Sequence, residues 1–134
     1  MLVFEKLFKK EAPLTGAHPV RRLKTYSAQS GYVYQYCYEG QRRFERSGET
    51  GTEFVFSLSA DRKTWSTAKV LLPAGALTQW EAAHQRALSG NECYAIAKMA
   101  LFQAFDERET PALMKAHILV RNADVEAIVE TLGL

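Results

Sequence analysis

Gly31-Tyr32-Val33-Tyr34-Gln35-Tyr36-Cys37-Tyr38 is the stretch on which the fold turns. Its tyrosines recur at every second position, and a period of two places all four rings on one face of an extended strand. Tyrosine and valine also favour strands intrinsically. Glu39-Gly40, directly downstream, reads as a two-residue hairpin turn, a weaker signal than Asn-Gly or Asp-Gly. Residues 41–46 then form the returning strand, which sets Tyr36 opposite Arg43 and Tyr34 opposite Glu45. The two glycines of Ser47-Gly48-Glu49-Thr50-Gly51 mark a loop. Beyond it, residues 53–59 alternate Phe54, Phe56 and Leu58 onto one face. Asp61-Arg62-Lys63-Thr64 is a turn, and residues 65–72 form a fourth strand ending at Pro73. Short successive connections make this an antiparallel four-stranded meander over residues 25–73.

After Pro73 the period becomes helical. Thr78-Gln79-Trp80-Glu81 has the capping-box pattern and opens a helix to about residue 88. Ser89-Gly90-Asn91-Glu92 is a second such pattern, opening the longest helix, with Ile96, Ala97, Ala100, Leu101 and Phe105 on its apolar face. A short extra strand is expected near residues 115–120, and Asn122 caps a last helix carrying Val125, Ile128, Val129 and Leu132 up to Gly133. Upstream, Phe4, Leu7 and Phe8 share one helical face of an amphipathic segment over residues 1–10, with Lys6, Lys9 and Lys10 elsewhere. Residues 11–24, with Pro13, Gly16 and Pro19, read as an extended connector. The expected architecture is α+β: the meander of the N-terminal half packed against about three helices of the C-terminal half. A meander followed by a helix resembles, in fold alone, the single-strand-binding transcriptional cofactors and the plant "whirly" proteins. No family motif accompanies the likeness, and no residue role is carried over.

A chain of 134 residues suits a single domain, 1–134, able to bury a core without disulfides or a metal. No apolar run reaches the roughly 18–20 residues that span a bilayer. The charges of the first ten residues follow their apolar part, unlike a signal peptide, so a cytoplasmic location is expected. Cys37 and Cys93 are then reduced thiols. The net charge of +2 hides an asymmetry: residues 1–46 carry nine basic and four acidic side chains, and the remainder eight and eleven. The front half is therefore the part suited to an anionic partner.

Chemistry-bearing motifs are sparse. His18, His84 and His117 share no ligand spacing with either cysteine. Glu81-x-x-His84 occurs once, where a di-iron bundle needs it twice. No nucleophile elbow or phosphate loop is present, so the reading is non-enzymatic, with no cofactor.

The tyrosine ladder supports two arrangements. Covered by helices, it is core with hydroxyls at its rim, the commoner fate of strand tyrosines. Left open, Tyr32, Tyr34 and Tyr36 would stack on bases while Arg21, Arg22, Lys24, Arg42, Arg43 and Arg46 meet phosphates. The expected function on the second arrangement is a binding module for single-stranded nucleic acid. The alternative is a protein-interaction or self-assembly domain that forms homo-oligomers through its amphipathic segment. Ring exposure discriminates the two.

Overall fold

The computed structural model of the chain describes residues 12–134, so the amphipathic segment expected over 1–10 lies outside the described residues. Four antiparallel strands come first: β1 (Lys24–Ser27), β2 (Val33–Arg46), β3 (Glu49–Ser59) and β4 (Ser66–Pro73). Helices α1 (Ala74–His84) and α2 (Gly90–Glu107) follow, then a 3-10 turn (Pro111–Lys115), β5 (Ile118–Leu119) and α3 (Asn122–Leu132). The sheet order is β1-β2-β3-β4-β5, with β5 parallel to β4 because the chain crosses over through two helices to reach it. The fold is thus α+β, a curled, mostly antiparallel five-stranded sheet with three α-helices among the described residues.

The meander has four strands, though not the four expected. Glu39-Gly40 is no turn: β2 runs straight through it as one strand of 14 residues. Tyr38 pairs with Phe56 and Gly40 with Val55, so Glu39 is the extra residue of a β-bulge. Gly40 has φ of 128°, and a Cβ there would lie 2.8 Å from the carbonyl oxygen of Thr15. Thr15 crosses at this point and exchanges both backbone hydrogen bonds with Gln41, at 2.9 and 2.8 Å. The glycine therefore admits a crossing chain and does not reverse its own. The reversal comes at Ser47-Gly48, where left-handed φ values of 51° and 77° form the two-residue hairpin. The fourth strand of the meander is β1, inside what read as connector and edge; it has no alternation of its own and depends on β2 for pairing.

One face of the sheet makes the core. Tyr34, Tyr36 and Tyr38 of β2 lie beside Phe54, Phe56 and Leu58 of β3 and Ala68, Val70 and Leu72 of β4. Helix α2 covers them with Ile96, Ala97, Ala100, Leu101, Ala104 and Phe105, a stripe at helical spacing rich in alanine. Small residues on the helix let its backbone approach the aromatic sheet, and Phe105 stacks on Tyr34 at 4.1 Å between centroids. Val125, Ile128 and Val129 of α3 close the layer.

The helix boundaries follow capping chemistry. Ser89 accepts from the Glu92 amide at 3.2 Å and Glu92 accepts from the Ser89 amide at 2.9 Å, the expected capping box. The first pattern behaves differently. Helix α1 begins at Ala74, directly after the extended Pro73, so Thr78 lies inside it and bonds back to the Ala74 carbonyl at 2.9 Å. Glu81 instead accepts from the Leu88 amide beyond the helix, which ends at His84. At α3, Asp124 receives the Arg121 amide at 2.8 Å, and Gly133 with φ of 73° stops the helix.

Gly51 of β3 is hemmed in: a Cβ would meet the Leu72 carbonyl and lie 2.7 Å from the Phe44 ring. Gly51→Ala is expected to destabilise the fold by about 1–3 kcal/mol through overpacking. Urea denaturation monitored by tryptophan fluorescence measures it, and an unchanged midpoint would refute the packing account.

Candidate functional site

The ring-exposure question is answered residue by residue. Tyr34 is 0% and Tyr36 5% exposed, while Tyr32 at 37% is the only open ring of the three proposed for stacking. Tyr34 has its face against Phe105, and Tyr36 meets Phe102 edge-on at 5.5 Å. A flat tyrosine platform is therefore not what the sheet presents, because α2 occupies that face.

The expected arginines are also dispersed. Because β2 does not turn at Gly40, Arg43 pairs with Thr52 and lies about 23 Å along the strand from Tyr36, at roughly 3.3 Å per residue. Arg42 is bound to Glu53 at 2.6 Å with both side chains mostly buried. Arg46 contacts His117. Arg21 reaches the sheet face opposite the tyrosine core, where it pairs with Glu39 at 2.6 Å and approaches the Cys37 sulfur at 3.3 Å. Ion-paired to carboxylates, Arg42 and Arg21 offer less potential to an external anion than an unpaired guanidinium would.

Arg22, Lys24 and Tyr36 do come together. They line one open cleft of about 370 Å³ with His18, Tyr38 and Tyr94, at the end of the sheet where β1 leaves β2. The segment before β1 supplies His18 and Arg22, β1 supplies Lys24, β2 the two tyrosines, and α2 supplies Tyr94. Lys98, one helical turn beyond Tyr94, holds its ammonium 5.9 Å from the Tyr36 ring centre. Tyr38 and Tyr94 are 4.7 Å apart, and His18 stands over both, tilted to Tyr38 at 5.3 Å and edge-on to Tyr94 at 5.7 Å. Of these, His18, Tyr94 and Lys98 escaped the sequence reading. Tyr94, Lys98 and Phe102 recur every fourth residue beside the core stripe, a periodicity that marks a second, half-buried face of α2.

The electrostatics of the cleft are unusual in one respect. Arg22, Lys24 and Lys98 make no ion pair with any carboxylate among the described residues. Lys98 is held below the ordinary lysine range, first by burial and then by the neighbouring Lys24. Burial, with a smaller contribution from Tyr94, pushes both Tyr36 and Tyr38 up to about 12. Both are therefore neutral donors at physiological pH. The Tyr38 hydroxyl donates to the Gln41 side chain at 3.2 Å. The Tyr36 hydroxyl makes no hydrogen bond among the described residues.

Nucleophilic and metal chemistry have no comparable grouping. Among the described residues no cluster of three or more His, Cys, Asp or Glu is placed to hold a metal ion. Cys37 is a buried free thiol, and burial raises the half-buried Cys93 thiol. No described helix is long and apolar enough to cross a membrane. Compared with known proteins, the chain matches no family model, no curated protein and no solved structure.

The Tyr36 and Tyr38 hydroxyls set an alkaline limit. Below pH 10 the folded and unfolded chains hold these protons alike; between 10 and about 12 only the unfolded chain releases them, so stability falls as pH rises through that window. Absorbance titration of tyrosinate should show Tyr36 and Tyr38 ionising late, with Tyr26, Tyr34 and Tyr94 also raised by burial. A late phase smaller by one tyrosine in Tyr36→Phe, with the fold intact, would confirm that group; ionisation of all tyrosines near 10 would contradict the burial.

Proposed function

We propose that the chain is a non-catalytic binding module for single-stranded nucleic acid, and that the ligand enters the Tyr94–Lys98 cleft instead of lying along the sheet. The observation that carries this reading is the grouping of three cations, Arg22, Lys24 and Lys98, without acidic partners among the described residues, beside an aromatic recess. Cations in such a place carry an unmet electrostatic cost, relieved by an anion. A recess walled by Tyr38, Tyr94 and His18 accepts a planar ring by stacking, worth about 1–3 kcal/mol per base. Anion and ring together are the chemistry of a nucleotide. Three phosphate contacts predict a slope of about −2 in log affinity against log salt for a single strand.

Fluorescence anisotropy with labelled DNA and RNA oligomers at graded salt tests the proposal. Lys24→Gln and Lys98→Gln are each expected to weaken binding and flatten the salt slope, whereas Arg42→Gln and Arg46→Gln leave it nearly unchanged. Equal losses from all four variants, or no binding at low salt, would remove the cleft from consideration.

Self-association is the second reading. Leu23, Val33 and Trp65 stand 58%, 46% and 43% exposed, and alternation places them away from the tyrosine core. Sedimentation velocity that shows a monomer at every concentration would dismiss it.

A further inference from the structure

The cations of the cleft, free of acidic partners among the described residues, are gathered at one place. Arg21 turns to Glu39 on the other sheet face, Arg42 is consumed by Glu53, and Arg46 rests against His117. Arg43 lies far down β2. A strand interior carries one charge per phosphate and is followed along its length by a succession of basic residues. Of the arginines expected to form that succession, Arg22 alone is at the cleft.

A concentrated site suits a concentrated charge. A phosphomonoester, with its second pKa near 6, carries close to two negative charges at neutral pH, against one for a phosphodiester. Lys24, which lines the cleft, and Lys98, beside the Tyr36 ring at its edge, are neighbours that repel each other, and a dianion bound by both offsets both charges where a diester leaves one in excess. A second feature is independent of charge. Tyr36 is buried as a residue (5% exposed), but it lines the cleft, and its hydroxyl, which reaches the open cleft, has no hydrogen-bond partner among the described residues. A neutral donor aimed into a basic recess is complementary to a phosphate oxygen.

We infer that the cleft takes a terminal phosphomonoester, as the phosphorylated end of a strand or as a free mononucleotide. The phosphate sits between Lys24 and Lys98 and receives the Tyr36 hydroxyl, while the attached base lies against Tyr38, Tyr94 and His18. Arg22, on the segment leading into β1, meets the phosphate from its outer side. The inference rests on the nucleic-acid reading above and narrows it from a strand to an end.

The test compares one single-stranded DNA oligomer in three forms: 5′-phosphorylated, 3′-phosphorylated and unphosphorylated, with the fluorophore always at the opposite end. Calorimetry with a nucleoside monophosphate and its parent nucleoside runs beside it. One phosphorylated end is expected to bind about tenfold or more tightly than the hydroxyl ends, the scale of a hydrogen bond to a charged group. The monophosphate should bind where the nucleoside does not. Lys98→Gln and Lys24→Gln, both on side chains outside the core, should erase the difference between the oligomers, and Tyr36→Phe should reduce it. Equal binding of all three oligomers, still weakened by Lys98→Gln, overturns the terminal-phosphate inference and leaves the strand-binding reading standing. Binding of the monophosphate without any strand upholds the inference and defeats the strand reading. No binding of any probe defeats both.

Discussion

An aromatic sheet face against an alanine-rich helix stripe is the contact on which the rest depends. Tyr34, Tyr36, Tyr38, Phe54 and Phe56 present flat, bulky rings, and Ala97, Ala100 and Ala104 supply the matching shallow surface. Each ring buried contributes about 1.5–3 kcal/mol, so this layer has more to lose than any surface ion pair. The same contact determines which tyrosine atoms remain available. Rings sealed at their faces offer only their outer rims, and at the end of the row, beyond the cover of Phe102 and Phe105, those rims become the wall of a cleft.

Much of this was legible in the sequence, for reasons that separate by element. The alternation of residues 32–38 and 53–59 and the stripe of α2 are statements about period, and period is fixed by backbone geometry. The capping box at Ser89 is local chemistry and survived intact; that at Thr78 has the same letters, yet Pro73 had already begun the helix one turn earlier. Gly40 could not be read locally at all. A glycine next to an acid suits a turn and a bulge equally, and the choice is made by Thr15, some twenty-five residues upstream. Strand β1 was hidden for a related reason, since its pairing comes from β2 and not from any pattern of its own.

The site was half legible in the same sense. Basic residues in the front half were visible, but which of them are neutralised depends on register. With no turn at Gly40, β2 runs on beside β3 and Arg43 faces Thr52 and not Tyr36, while the extra residue at Glu39 shifts the register by one and sets Arg42 opposite Glu53. Arg22 and Lys24 have no acid beside them among the described residues, and what α2 brings to Lys24 is another lysine. The sequence places Lys24 and Lys98 seventy-four positions apart, and only the packing of α2 on the sheet brings them together.

Strand β1 is an edge of four residues, paired on one side only. Its hold on the body comes from Tyr26, which stacks on Phe102 at 4.3 Å and donates to Asp106 at 2.8 Å, and from the Gln29 amide on the same carboxylate. Short edges with exposed ladders are the parts of a fold that open without global unfolding. The cleft thus joins a short edge wall, with Lys24 in β1 and Arg22 just before it, to one that is locked into the core. Anything gripping both walls suppresses that opening, so occupancy is written into amide exchange along β1 while the central strands stay silent.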